Sequence, residues 1–313
     1  MRGRQSVWSN PKVQQRLKRF VTCADEVHYL HKRAGRECDF FRGFSEQGHY
    51  GKNGPQATRQ GIYCASPSGR FLGSVNSNDP GRVIAMLDAA WAAWNKLPKK
   101  QRYLDPAPTD TATGRGRRGE PLYPADGLAC RIYVRDLPRP KQAPARDWRG
   151  SAWNTDTVWF RKAEARAFLP AECKVGAQHD VPRALVERLA RFCFIDSVRG
   201  QTAAYESKQI EQARLRVTVT KREGSKVFVR FEGATHAKAG ARSVQGEIEG
   251  VAGFDLTKGR FEEFQMTLRG TRRNGTRFNF RQGDPGPAPI GFALALADPA
   301  DRTAPAFWWR YWS

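Results

Sequence analysis

The chain lacks any apolar run approaching the roughly 20 residues that a membrane-spanning helix needs. It also lacks a CxxC motif. Its six cysteines, Cys23, Cys38, Cys64, Cys130, Cys173 and Cys193, are widely scattered, which excludes a zinc ribbon and a compact disulfide framework. Phosphate-binding loops, dinucleotide fingerprints and Ser-His-Asp arrangements are missing too. Acidic residues are few: 31 Asp+Glu face 53 Lys+Arg, leaving a net charge of +22. The basic N-terminus is followed by no apolar h-region, so the expectation is a cytoplasmic protein with reduced thiols, or an exported one if the true start lies upstream of Met1.

What is present is enough to fold. With 40% hydrophobic and 11% aromatic residues, the chain is too apolar for a disordered basic tail. Its 313 residues suffice for about two domains. The positive charge divides evenly, +11 up to Glu120 and +11 beyond it, and 38 of the basic residues are Arg. An even spread describes a basic surface rather than a dedicated nucleic-acid arm.

The periodicities define two regions. Ser9-Asn10-Pro11 opens a short helix to about Arg19, followed by a strand at Phe20 to Ala24 and helical spacing from His28 to Phe44, broken by Gly35. A hairpin follows, Gly61 to Ala65 and Arg70 to Val75 around Ser66-Pro67-Ser68-Gly69. Asn78-Asp79-Pro80 then caps an amphipathic helix ending before Pro98. Residues 99–127 have the Pro, Gly and Thr content of a linker. Beyond it, strands are expected at Cys130 to Val134, Thr157 to Phe160, Ala213 to Lys221, Lys226 to Glu232, Glu247 to Asp255, Phe261 to Arg269, Arg277 to Phe280 and Gly291 to Leu296, with one helix over Val181 to Phe194. Asp284 to Pro289 reads as a rigid turn.

VWSNPKVQQRLKRFVTCADEV resembles the helix after the redox motif of the thioredoxin-like superfamily and the strand that follows it. QGIYCASPSGRFLGSVNSNDPGRVIAMLDAAWAAW resembles that superfamily's closing hairpin and final helix. The resemblance covers residues 7–97 and implies a thioredoxin-like fold. It is degenerate: CxxC is missing, and the family's cis-Pro position falls at Thr58-Arg59-Gln60-Gly61. It also implies a central strand between Phe20–Ala24 and Gly61–Ala65; Cys130 to Val134 and the tail Phe307 to Trp312 are candidates to fill it. If instead the flanking strands pair directly, Cys23 and Cys64 come within bridging reach.

Candidate chemistry is sparse. Cys38, on a segment with Arg36 and Arg42, is the candidate nucleophile for a single-thiol reaction. His28 and His31 at i, i+3 can share a helix face with Cys38 or His49 near by, but the spacing matches no standard zinc module and no metal or cofactor is expected. Nucleic-acid contacts would fall to Arg115, Arg117 and Arg118 of GRGRRG and to Arg272 and Arg273, placed in a turn after Arg269. Trp148, Trp159 and Phe160 beside Arg149 and Arg161 offer stacking rings. The tail residues Phe307, Trp308, Trp309 and Trp312 must dock on their own chain or form an interface.

These readings converge on an α+β protein: a degenerate thioredoxin-like domain (1–98), a basic linker (99–127) and an antiparallel β-rich domain with one packed helix (128–313). The expected function is non-catalytic protein or ligand binding. The alternatives are a thiol oxidoreductase, using a single cysteine or an active site missing from this start, and a polyanion-binding protein.

Overall fold

The computed structural model describes residues 7–25, 27–32, 34–52, 59–103, 119–139, 148–276 and 278–312, without the side chains of residues 28, 29, 32, 120 and 148. The chain divides into two compact units, Val7–Arg117 and Arg118–Ser313.

In the first unit, α1 (Pro11–Leu17) is capped by Asn10, whose side chain accepts from the Lys12 and Val13 amides. Gly35, at φ 133°, separates α2 (Val27–Lys32) from α3 (Arg36–Ser45). Strands β1 (Ile62–Ala65) and β2 (Phe71–Val75) form the antiparallel hairpin. The Asp79 carboxylate caps α4 (Pro80–Lys96), which buries Val83, Met86, Leu87 and Ala90 against the hairpin and Val13 of α1. A short helix, α5 (Lys99–Arg102), follows.

Residues Phe20 to Ala24 do not form the expected strand. Residues 21–25 lie outside any strand and are exposed, Val21 to 95%. The ring of Phe20 packs edge-on against Trp91 with centroids 6.0 Å apart, while among the described residues no strand pairs with the backbone beyond it.

The second unit is built on an eight-stranded antiparallel sheet. Its strands are β3 (Leu128–Asp136), β4 (Trp153–Phe160), β5 (Gln178–Asp180), β6 (Ile210–Glu223), β7 (Lys226–Ala239), β8 (Arg242–Asp255), β9 (Arg260–Arg273) and β10 (Ala288–Leu296), in the order β4-β3-β10-β9-β8-β7-β6-β5. Alternation dictates its two faces: Leu215, Val217 and Val219 point inward, and Arg214, Arg216 and Thr218 point outward. Between β6 and β7 the reversal takes only two residues, and Gly224 supplies the φ of 56° that such a turn requires.

Helices α6 (Lys162–Arg166) and α7 (Arg183–Arg188) interrupt the strand series. The helix expected from Val181 begins at Arg183, behind Pro182, and ends in a widened turn over Leu189–Cys193, where the Phe194 amide donates to the Leu189 carbonyl at 2.8 Å. That turn touches β4 as well as β6 and β7, which lie near opposite ends of the sheet. The sheet therefore curls around α7 and its extension. Gly270 permits the bend: a Cβ there would stand 2.0 Å from the Gln245 carbonyl of the neighbouring strand.

Two further expectations change. Arg277 lies outside the described residues, and 278–280 form a turn rather than a strand, with Phe280 at φ 56°. Arg272 and Arg273 belong to β9, because the ladder to β8 continues through Val244 and Ser243.

Candidate functional site

The β1–β2 hairpin is covered on both faces. On one, Cys64 is buried with its thiol 3.7 Å from the Met86 sulfur of α4, and Gly73 lies over Met86 and Ala90. On the other, Tyr63 packs edge-on against Phe41 of α3, tilted against Phe44, and stacks on His49 at 5.1 Å. The Ser74 hydroxyl accepts from the His49 amide at 2.8 Å and lies 2.9 Å from Nδ1, while Nε2 is 3.3 Å from the Gln60 carbonyl. These bonds hold the imidazole against the sheet.

Both faces are thus occupied. Among the described residues, β1 and β2 pair only with each other. Two strands span about 5 Å, half the width of one helix. Neither sequence-level candidate fills the place beside β1: Cys130 to Val134 lies in β3 of the other unit, and the aromatic tail is docked there as well.

None of the six cysteines is joined in a disulfide. Cys38 is fully buried on α3, and burial pushes the Cys64 thiol up to about 11. Cys23, on the exposed stretch after α1, and buried Cys64 are not bridged. In the native protein we expect one of the six thiols, Cys23, to react rapidly with a maleimide at neutral pH, with the rest reacting only after denaturation. A fast second modification, located by peptide mass, would show that Cys38 or another buried thiol is accessible. Of the proposed metal candidates, His31 is half-buried on α2, Cys38 is buried, His49 is bound to Ser74, and the His28 side chain lies outside the described residues. Among the described residues no three His, Cys, Asp or Glu side chains converge.

In the second unit, one end of the inner sheet face is polar and buried. Arg281 is 2% exposed and forks onto two carboxylates: to Asp136 at 2.9 and 2.7 Å, and to Asp196 at 2.7 and 2.8 Å. Arg199 reaches Asp136 at 2.9 Å, and Arg139 grips Asp284 with two bonds of 2.9 and 2.8 Å. Arg272, fully buried, also binds the Asp284 carboxylate, as well as the Asp284 and Gly286 carbonyls. Burial pushes the Asp136 carboxyl up, but the hydrogen bonds and charge of Arg281 outweigh it, and the group sits below the usual carboxylate range. Asp284 is lowered in the same way, against its own desolvation, by Arg139 and Arg272. Burial alone would weaken the charge on Arg281; Asp196 and Asp136 hold it firmly protonated instead. The network fastens residues 281–286 and the segment after α7 to the end of β3, and sequence reading misses it because its partners are far apart in the chain.

The tail is fastened by a second group. Arg188 is buried, donates to the Trp159 and Tyr311 carbonyls, and pairs with Glu164, whose carboxylate also accepts from the Trp312 indole at 3.3 Å. Tyr311 stacks on Phe192 at 5.4 Å, Phe307 tilts against the same ring, and Arg310 binds Glu206. Trp308 and Trp309 meet edge-on, with Trp309 58% exposed.

Of the residues proposed for nucleic acid, Arg115, Arg117, Arg118 and the Trp148 side chain lie outside the described residues. Arg272 is a correction: locked in the ion network, it has no surface to offer, whereas Arg273 is exposed. Trp159 and Phe160 are buried and cannot stack on a base. No helix of the described residues is long and apolar enough to cross a membrane. No protein-family model matches the chain, and no curated protein or solved structure is significantly similar to it.

Proposed function

We propose that the first unit is a thioredoxin-like scaffold that has exchanged redox chemistry for binding, and that it takes an extended protein segment as an added strand along β1. The observation that carries this reading is the two-stranded sheet sandwiched between α3 and α4. An isolated pair of strands is marginal in water, and its edge amides and carbonyls form a ready template for another chain. Of the two strands, β1 is the better covered, with Cys64 buried and Tyr63 enclosed by rings, as in the interior of a wider sheet; β2 is half-exposed throughout. Exposed Val21 gives the same unit unburied apolar surface. Buried Cys38 and the raised pKa of Cys64 fit a scaffold that does not exchange disulfides.

The test is selection of extended peptides from a display library on the full chain, followed by amide hydrogen exchange on the complex. Protection is expected at Ile62 to Ala65, and N-methylation at alternate peptide residues should abolish binding. Protection confined to the second unit, or a selection that yields no peptide, would overturn the reading.

A further inference from the structure

The outer face of the curled sheet carries a feature that neither the ion network nor the tail uses. Across four adjacent strands, the ladder places Trp153 (β4), Arg135 (β3), Gly291 (β10) and Arg269 (β9) in one row. The next row holds Thr155, Tyr133, Ala293 and Thr267. Residues directly opposite one another point to the same side, so all eight share the outer face. Their burial agrees: Arg135, Ala293, Thr267 and Arg269 are exposed, Tyr133 to 43% and Trp153 to 37%.

The floor of this surface is β10: Ala293 is small and exposed, and Gly291 lies beneath the Leu137 side chain, which comes within 2.9 Å of where a Cβ would stand. Beside it stands the aromatic pair, with ring centroids 6.2 Å apart and planes tilted by 39°. The cations stand on either side of β10. Arg135 and Arg269 both oppose Gly291, which sets their backbones about 10 Å apart. Among the described residues neither forms an ion pair, whereas other outer-face arginines do: Arg131 with Asp301 at 2.7 Å, Arg216 with Asp180 at 2.9 Å and Arg230 with Glu232 at 2.7 Å. Glu247 stands opposite Arg269 on β8 and opens the acidic part of the face, so the basic surface ends at β9.

We propose that this platform binds single-stranded nucleic acid, its bases stacking on Tyr133 and Trp153 and its phosphates meeting Arg135 and Arg269. Exposed rings accept a base of any identity because every base has a flat face. Two guanidiniums that form no ion pair among the described residues match a backbone with a charge at every nucleotide, and the overall +22 adds attraction at long range. A sheet face without a protruding helix or ribbon has no element to enter a duplex groove, which favours unpaired bases. The proposal is independent of strand addition at β1: it concerns the other unit and different residues.

The experiment is fluorescence anisotropy of labelled oligo-dT and oligo-rU with the full chain, titrated at several salt concentrations. Binding is expected at about 50 mM salt and should weaken steeply as salt rises. Tyr133→Leu with Trp153→Leu should weaken it about tenfold or more, while Tyr133→Phe with Trp153→Phe should keep it within about twofold. Arg135→Gln with Arg269→Gln should reduce the slope of log affinity against log salt by about 1.4, at roughly 0.7 for each phosphate no longer neutralised. Arg216→Gln with Arg230→Gln removes the same charge elsewhere on the same face and should leave affinity within about twofold. If the leucine pair does not fold, the phenylalanine and glutamine pairs still decide. No binding at low salt, equal losses in the two arginine pairs, or equal affinity for duplex DNA would each overturn the proposal.

Discussion

Replacing Arg281 with methionine should lower the stability of the second unit by about 3–5 kcal/mol, the cost of leaving buried carboxylates without their cation. For a unit of this size, that corresponds to a fall in melting temperature on the order of 10 °C. The loss is not the worth of the salt bridges themselves, because burying a charge costs nearly what pairing it returns. It arises because Asp196, almost inaccessible to water, keeps its desolvation and loses the guanidinium that offset it. Asp136 retains Arg199 and suffers less. Arg281→Met combined with Asp196→Asn should therefore recover part of the loss.

The pH profile separates this mechanism from simple loss of packing. In the native protein Asp136 and Asp284 have lowered pKa values, so their stabilisation is present above the unfolded-state value of about 4 and is lost as pH falls through the folded values. In the variant, Asp136 loses the Arg281 hydrogen bonds and charge that lower its pKa, so that part of the acid-sensitive stabilisation is already gone. The gap between native and variant stability, followed by urea unfolding, should narrow as pH falls below about 4. A gap independent of pH would mean that the methionine acts through shape alone.

Phe168→Ala should cost a similar amount, about 3–5 kcal/mol, by a different route. Phe168 is fully buried and meets three rings edge-on: Phe160 of β4 at 5.0 Å, and Phe231 of β7 and Phe264 of β9 at 6.2 Å each. Those strands lie well apart in the sheet, so one side chain fills the space that the curl encloses. Alanine leaves a cavity that cannot close without uncurling the sheet. Phe168→Leu should cost clearly less, because most of that volume remains filled. Equal losses for the two variants in urea melts would show that the ring geometry, rather than the cavity, carries the effect.

The parts of this fold that are local in sequence are the parts that the sequence reveals. Alternation in Leu215, Val217 and Val219 marks a half-buried strand whatever lies beside it, and Asp79-Pro80 caps α4 through atoms three residues away. Phe20 to Ala24 has strand composition, yet a strand exists only if a neighbour accepts its hydrogen bonds. Arg272 looks like one more surface arginine after Arg269; its burial depends on Asp284, carried to it by a loop reversal that no periodicity announces. The outer-face platform was equally hidden, because Trp153, Arg135 and Arg269 become neighbours only through the ladders across β4, β3, β10 and β9.

The pairing of β3 with β10 also constrains the birth of the molecule. Asp136 faces Ile290, roughly 150 residues later in the chain. At about 5–20 residues per second, a ribosome delivers that partner on the order of ten seconds after β3 has emerged. During that interval the β3–β4 hairpin carries Tyr133, Ile132 and Val134 beside an uncovered edge, the arrangement most prone to pairing with another nascent chain. The β6 to β9 meander, by contrast, closes with each successive turn. Synthesis rate and chaperone supply should therefore govern the yield of this protein more strongly than its final stability does.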